Sequence, residues 1–193
     1  MEDKVSNQRL STKVNVDFPD FKSVPDDVRQ KFESLPTKLN LFRMLGHSPG
    51  AFVELMDLTD AIFKKLTLSD YHKELLVMLV ASYEDSSYEW EQHITISRAA
   101  GVHEDQILAI AKRKIGDEKV FSEGERILLY FGECILERGK APGVVFNQAL
   151  QFFSTTELSD AMIVIGFYRM LSGYIQTFNL PADPQPDGDW IKE

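Results

Sequence analysis

Glu74, Glu89 and His93 are the residues in this chain whose types and spacing could do chemistry. Glu74 stands at the head of residues 75–81, a run that is apolar on every side, and a charge set against such a run is costly unless it is paired. His93 is the nearest candidate partner. A carboxylate that accepts from one imidazole nitrogen fixes the tautomer and leaves the other nitrogen as a usable acid or base. Glu89 precedes His93 by one helical turn, so the two side chains point the same way. Each feature also has a plain reading. Glu74 with His93 could be a buried polar pair that merely fixes helix packing. Ser86 and Glu89 have the spacing of a capping box, in which the Glu89 carboxylate would only satisfy backbone donors.

Positioning these groups requires a helical hairpin that turns around Glu84-Asp85. If its two arms pack antiparallel, Glu74 sits level with about Ile96, and the axial offset to His93 is only about 4–5 Å at the usual rise per residue. The two side chains can therefore meet across the hairpin. The first arm follows the capping stretch Thr67-Leu68-Ser69-Asp70, and its apolar circumference places it at the centre of a bundle. The second arm opens at Ser86 or Ser87 and closes at Gly101.

The rest of the chain reads as further helices. Pro25-Asp26-Asp27 begins a short one that ends near Leu35-Pro36, with acids at the positive end of its dipole. Residues 40–46 form another, stopped by Gly46 and the Ser48-Pro49-Gly50 turn. Phe52, Leu55, Met56, Leu58, Ile62, Phe63 and Leu66 recur at helical spacing in a long amphipathic helix to about Lys65. A helix over about 103–114 follows the hairpin. Ser122 with Glu125 and Ser154 with Glu157 are capping boxes that open helices ending near Gly139 and Phe178, with a shorter helix over 144–153 between them. No run alternates as a strand would. The prediction is an all-α, compact bundle of eight or nine helices: a polar arm over residues 1–22, a helical domain over 23–180, and a Pro- and Asp-rich tail over 181–193 that reads as loop, with Trp190 free to dock.

Composition narrows the function. The 193 residues carry a formal net charge of -9, which repels phosphate backbones and argues against nucleic acid as a partner. The polar start has no secretory core, and no apolar run approaches the length that spans a bilayer, so the expectation is a soluble, cytoplasmic protein without a membrane partner. The single cysteine, Cys134, has no partner for an internal disulfide and sits in an apolar helical stretch that suits a buried, inert thiol. Glu74, Glu89 and His93 offer a metal three ligands at most, and no Glu stands three residues before any His as bundle di-metal sites require. Neither a metal nor a cofactor is expected.

The spacing of Glu74, Ser86, Glu89 and His93 resembles the E-x11-C-x2-C-x3-H pattern of redox-active members of the carboxymuconolactone decarboxylase and alkyl hydroperoxidase D superfamily, with both cysteines replaced. Neighbouring words resemble its decarboxylase-like branch: Tyr88-Glu89-Trp90-Glu91-Gln92-His93, Asn40-Leu41-Phe42-Arg43 with His47-Ser48-Pro49, and Gly166-Phe167-Tyr168 with Met170-Leu171. The resemblance covers roughly residues 25–181. It implies an alkyl hydroperoxidase D-like helical bundle that assembles as a homo-oligomer, a trimer or hexamer, with Glu74 as orienting carboxylate and His93 as proton relay. Thiol peroxidase activity is not expected, because Ser86 and Glu89 stand where the two thiols would be.

The resulting expectation is a cofactor-free lyase or isomerase acting on a small cyclic or lactone carboxylic acid. His93, held by Glu74 and with Glu89 beside it, would move the proton. Arg98 or Arg43 could hold the substrate carboxylate, although a surface ion pair is the plain reading of each. Ser86, Tyr88, Trp90 and Tyr168 are the other candidate pocket residues. The alternative is a non-catalytic, oligomeric binding or scaffold protein of the same fold. What separates the two is whether His93 borders a cavity or is sealed in the core.

Overall fold

The computed structural model describes residues 16–183. Nine helices and no strand occur among them: α1 (Asp26–Ser34), α2 (Asn40–Leu45), α3 (Pro49–Lys64), α4 (Asp70–Tyr83), α5 (Ser87–Ala99), α6 (Glu104–Ala111), α7 (Glu123–Arg138), α8 (Gly143–Ala149) and α9 (Thr155–Thr177). The expected all-α bundle is what forms. Most of the proposed arm, and Trp190, lie outside the described residues.

The helix ends follow the local chemistry. Ser69 accepts from the His72 amide at the start of α4. Ser122 and Glu125, and likewise Ser154 and Glu157, exchange side-chain and backbone hydrogen bonds at the starts of α7 and α9. Gly139 closes α7 at φ 72, a left-handed conformation that costs glycine little. Two helices are shorter than the periodicity suggests. α6 stops at Ala111 because Arg113 turns left-handed at φ 54 and sends its guanidinium to the Ser82 and Tyr83 carbonyls at the end of α4. α8 stops at Ala149, and residues 150–153 run on as turns into the α9 cap.

α4 is the central rod, packed by α5, α6, α7 and α9. Its apolar run, Leu75 to Ala81, is buried all round, as a helix without a polar face must be. α7 comes so close that a Cβ on Gly132 would lie 2.9 Å from a Leu79 methyl, so glycine is what permits the approach. Two polar staples fix the entry to α4. The Asp160 carboxylate of α9 accepts from the Thr67 and Leu68 amides at 2.7 and 3.1 Å. Lys73 reaches back to the Ile62 and Phe63 carbonyls at the end of α3 and to Asp70. Asp160→Ala leaves two amides beside the buried Leu68 without their acceptor, and is expected to cost about 1–3 kcal/mol. That loss should appear in a thermal melt as a drop of about 2–4 °C per kcal/mol.

α4 and α5 form the antiparallel hairpin anticipated above. The turn between them is short, with Asp85 in the left-handed region at φ 51 and the Ser86 amide bonded to the Ala81 carbonyl. Residues 16–22 lie against the bundle: Phe21 stacks on Phe32 at 3.8 Å, and Phe18 lies beneath the Arg43 guanidinium. Residues 181–183 are likewise pinned. Asp183 accepts from the Asn40 amide and the Tyr88 hydroxyl, and Asn40 Nδ2 donates to the Pro181 carbonyl. The start of the tail is therefore part of the packed structure. No helix among the described residues is long and apolar enough to cross a membrane.

Candidate active site

Glu74 and His93 meet across the hairpin. The His93 Nδ1 lies 3.0 Å from Oε2 of Glu74 and 3.3 Å from Oε1, and Ser97, one turn beyond His93, donates to the same Oε2 at 3.0 Å. All three are buried, Glu74 and His93 at 5% exposure each. Nδ1 is thereby the donor to the carboxylate, which leaves Nε2 as the nitrogen free to exchange a proton. The Tyr168 ring stands edge-on to the imidazole at 4.9 Å and holds its plane.

Glu89 is not a helix cap. Ser86 makes no side-chain capping bond at the start of α5, and the Glu89 carboxylate instead turns inward, with Oε2 3.6 Å from His93 Nε2. Its other oxygen, Oε1, is buried with no hydrogen-bond partner. The capping reading fails because the imidazole offers the carboxylate a compensating charge inside, on the same face of α5. A distance of 3.6 Å is an electrostatic contact and not a hydrogen bond.

These three residues line one end of a cavity of about 540 Å³, bounded by α3, α4, α5, α9 and the α1–α2 connection. That volume suits one small molecule. Its walls are mainly apolar, with Leu39, Leu41, Phe42, Met56, Ile62, Val77, Ile96 and Phe167 among them, and Thr59, Tyr88, Gln92 and Tyr168 add polar atoms. Two of these are held from the tail: Tyr88 donates to the Asp183 carboxylate, and Gln92 donates to the Asp183 carbonyl at 3.4 Å. His93 therefore borders a hollow and is not sealed by full pairing.

The electrostatics follow from burial. Desolvation raises Glu89 from the usual 4.5 to about 7; His93 opposes that rise and Glu74 adds to it. For His93, burial pulls the imidazole down, but Glu74 and then Glu89 outweigh it, so its pKa lies above 6.5. Burial, with the two carboxylates behind it, pushes the Tyr168 hydroxyl well above 10. Near neutral pH the site thus holds an exchangeable proton on Glu89 or His93.

The folded chain keeps the Glu89 proton up to about pH 7, whereas an unfolded chain releases it near 4.5. Protonation therefore favours folding, and stability declines as pH climbs from about 4.5 through about 7. The loss from this group is on the order of 3 kcal/mol, and the raised His93 adds in the same direction. Glu89→Gln should flatten most of that slope, making the variant more stable than wild type in urea at about pH 8 but not at about pH 5.

The other predicted residues divide. Tyr88 and Tyr168 line the cavity. Ser86, Trp90, Arg98 and Arg43 do not. Ser86 is buried behind the hairpin turn with its hydroxyl unpartnered, and Trp90 packs half-buried on the core. Arg98 is exposed and ion-paired with Glu104, and Arg43 stacks on Phe18 at 4.2 Å. Neither arginine lines the cavity, so neither provides the carboxylate anchor that the active-site reading would use; for Arg98 the plain reading of a surface ion pair is what forms. Sequence reasoning missed Ser97, Gln92 and Asp183. Ser97 could have been found, since it stands four residues after His93 on the same face; nothing local marks Asp183. Among the described residues, no three His, Cys, Asp or Glu side chains are grouped to hold a metal ion.

No family sequence model matches the chain, and no curated protein sequence matches it either. Solved structures do. An uncharacterized peroxidase-related protein from Ralstonia eutropha, described as an alkylhydroperoxidase AhpD core, superposes with a TM-score of 0.73 over 93% of this chain and 94% of its own, at 17% identity. The chain has the alkylhydroperoxidase AhpD-like fold. A putative antioxidant defence protein AhpD from Agrobacterium tumefaciens gives a TM-score of 0.65 at 20% identity, over 73% of this chain and 96% of its own. A cysteine-to-alanine variant of the debrominase Bmp8, in complex with 2,3,4-tribromopyrrole, gives 0.67 at 16% identity, over 94% of this chain and 97% of its own. Within this AhpD-like frame, Ser86 stands just before α5 and Glu89 in its first turn, and the one thiol, Cys134, is buried in α7.

Proposed function

We propose that the cavity is the active site of a cofactor-free enzyme of the lyase or isomerase class, which moves a proton on a small ring compound. The observation that supports this most is His93 held between two carboxylates at the cavity wall, Nδ1 committed to Glu74 and Nε2 facing a Glu89 whose Oε1 has no partner. Two proton-exchanging groups on one side of a small apolar hollow suit removal of a proton at one ring position and delivery at another.

In an isomerisation, Glu89 or His93 Nε2 takes a proton from carbon, the electron pair moves through the adjoining π system, and the protonated partner returns a proton to the far carbon. In a decarboxylation, the pair from the broken carbon–carbon bond stays on the ring as carbon dioxide leaves, and the His93 imidazolium supplies the proton. Glu74 orients the imidazole and stabilises its charged form in both cases. The debrominase of the same fold is described with a small halogenated ring, a ligand of the size this cavity admits. A carboxylic acid substrate would have to be held without Arg98 or Arg43, so the reading rests on proton transfer more than on an acidic substrate.

The test is solvent exchange. Unsaturated lactones, cyclic enones and phenols are incubated with the protein in heavy water and followed by proton NMR. Deuterium entering one ring position with wild type, and not with Glu89→Gln, is the expected result. No exchange above the buffer rate for any member of the set would remove the proposal.

A further inference from the structure

The charges around the cavity are unbalanced in a way that bears on what it can bind. Acids lining it are Glu74, Glu89, Asp60 and Asp70. The described cations lining it are Lys64 and Lys73, and both are occupied. Lys73 directs its ammonium to two carbonyls and to Asp70, at 2.7 to 3.1 Å, and Lys64 is exposed and paired with Asp60 at 2.9 Å. His93 is already shared between two carboxylates. Glu89 is only 3% exposed, its Oε1 has no hydrogen-bond partner, and a buried acceptor of this kind calls for a donor.

We infer that the ligand of this cavity is a neutral, mainly apolar ring that carries an N–H or O–H donor, which it presents to the Glu89 carboxylate at the cavity wall, and that carboxylates are turned away. Above about pH 7, where Glu89 is ionised, a carboxylate at that place would lose its hydration, meet an acceptor and not a donor, and lie beside a like charge, with Lys64 and Lys73 already occupied. A donor-bearing neutral ring loses little on entering the apolar walls and gains a charge-assisted hydrogen bond. The inference rests on the active-site reading above and extends it from proton transfer to substrate class; it shifts the balance from decarboxylation, whose substrate is an anion, towards isomerisation.

Calorimetric titration of the full chain at about pH 8, where Glu89 is ionised, separates the two ideas, because binding is read without turnover. The probes are 4-chlorophenol, its methyl ether 4-chloroanisole, which lacks the donor, and 4-chlorobenzoate. The phenol is expected to bind at least about tenfold more tightly than either of the others, a difference of about 1.4 kcal/mol. Glu89→Gln, which keeps the shape and removes the charge, should shrink the phenol-to-benzoate ratio to within about threefold. Benzoate binding as tightly as the phenol, equal binding of phenol and ether, a ratio unchanged in Glu89→Gln, or no binding by any probe would each overturn the inference. Selective phenol binding together with failed solvent exchange would leave the ligand class standing and remove the enzyme reading alone.

Discussion

Glutamine in place of His93 is expected to lower turnover of the true substrate by about two to four orders of magnitude, the usual worth of a positioned acid or base. Glutamine is the informative choice over alanine. His93 is buried against Glu74 and Ser97, so alanine would leave a void and a carboxylate with one donor fewer. The glutamine amide can still donate to Glu74, yet it neither binds nor releases a proton near neutral pH. The melting temperature should therefore fall by no more than a few degrees while kcat/KM collapses. Turnover equal to wild type would take His93 out of the mechanism and leave the pair as a packing device.

Glu74→Ala should show its largest effect on stability. One Glu74 oxygen accepts from both His93 and Ser97, and the three groups are buried together where α4 and α5 face each other. Removing the carboxylate strands two donors and cancels the strongest attraction that holds the His93 proton. Breaking such a buried pair costs about 3 kcal/mol, or about 6–12 °C in melting temperature for a chain of this size. Glu74→Gln keeps one acceptor and should lose about half as much. The imidazole, released from Glu74, should titrate lower than in wild type, which histidine proton NMR across a pH series would show. A loss under about 1 kcal/mol would mean that the two helices are not joined by this contact.

Much of this arrangement is legible in the order of the residues. A carboxylate at the head of an all-apolar helix needs a partner, and counting residues back from the turn brings Glu74 level with the region of His93. What spacing cannot separate are the two uses of Glu89. Capping and inward burial need the same residue types in the same order, and the choice depends on what lies across the cavity. Arg98 escapes spacing for a related reason. Its captor, Glu104, comes from the next helix after the turn at Gly101, so the plain reading as a surface ion pair is the one the structure shows. Arg43 is drawn away by Phe18, which no helical periodicity ties to it. The tail composition suggests loop, and it cannot reveal that one carboxylate in it meets Tyr88 and an amide of α2.

The turn at Asp85 carries a consequence of its own. It behaves like the key that sets two gears in mesh, because its length sets the angular phase at which α5 meets α4. One residue more or fewer there would spin α5 by about 100° and swing the imidazole away from its carboxylate, with every reactive side chain still present. Linker length at this point is thus as much a chemical property of the protein as the identity of the acid or the base.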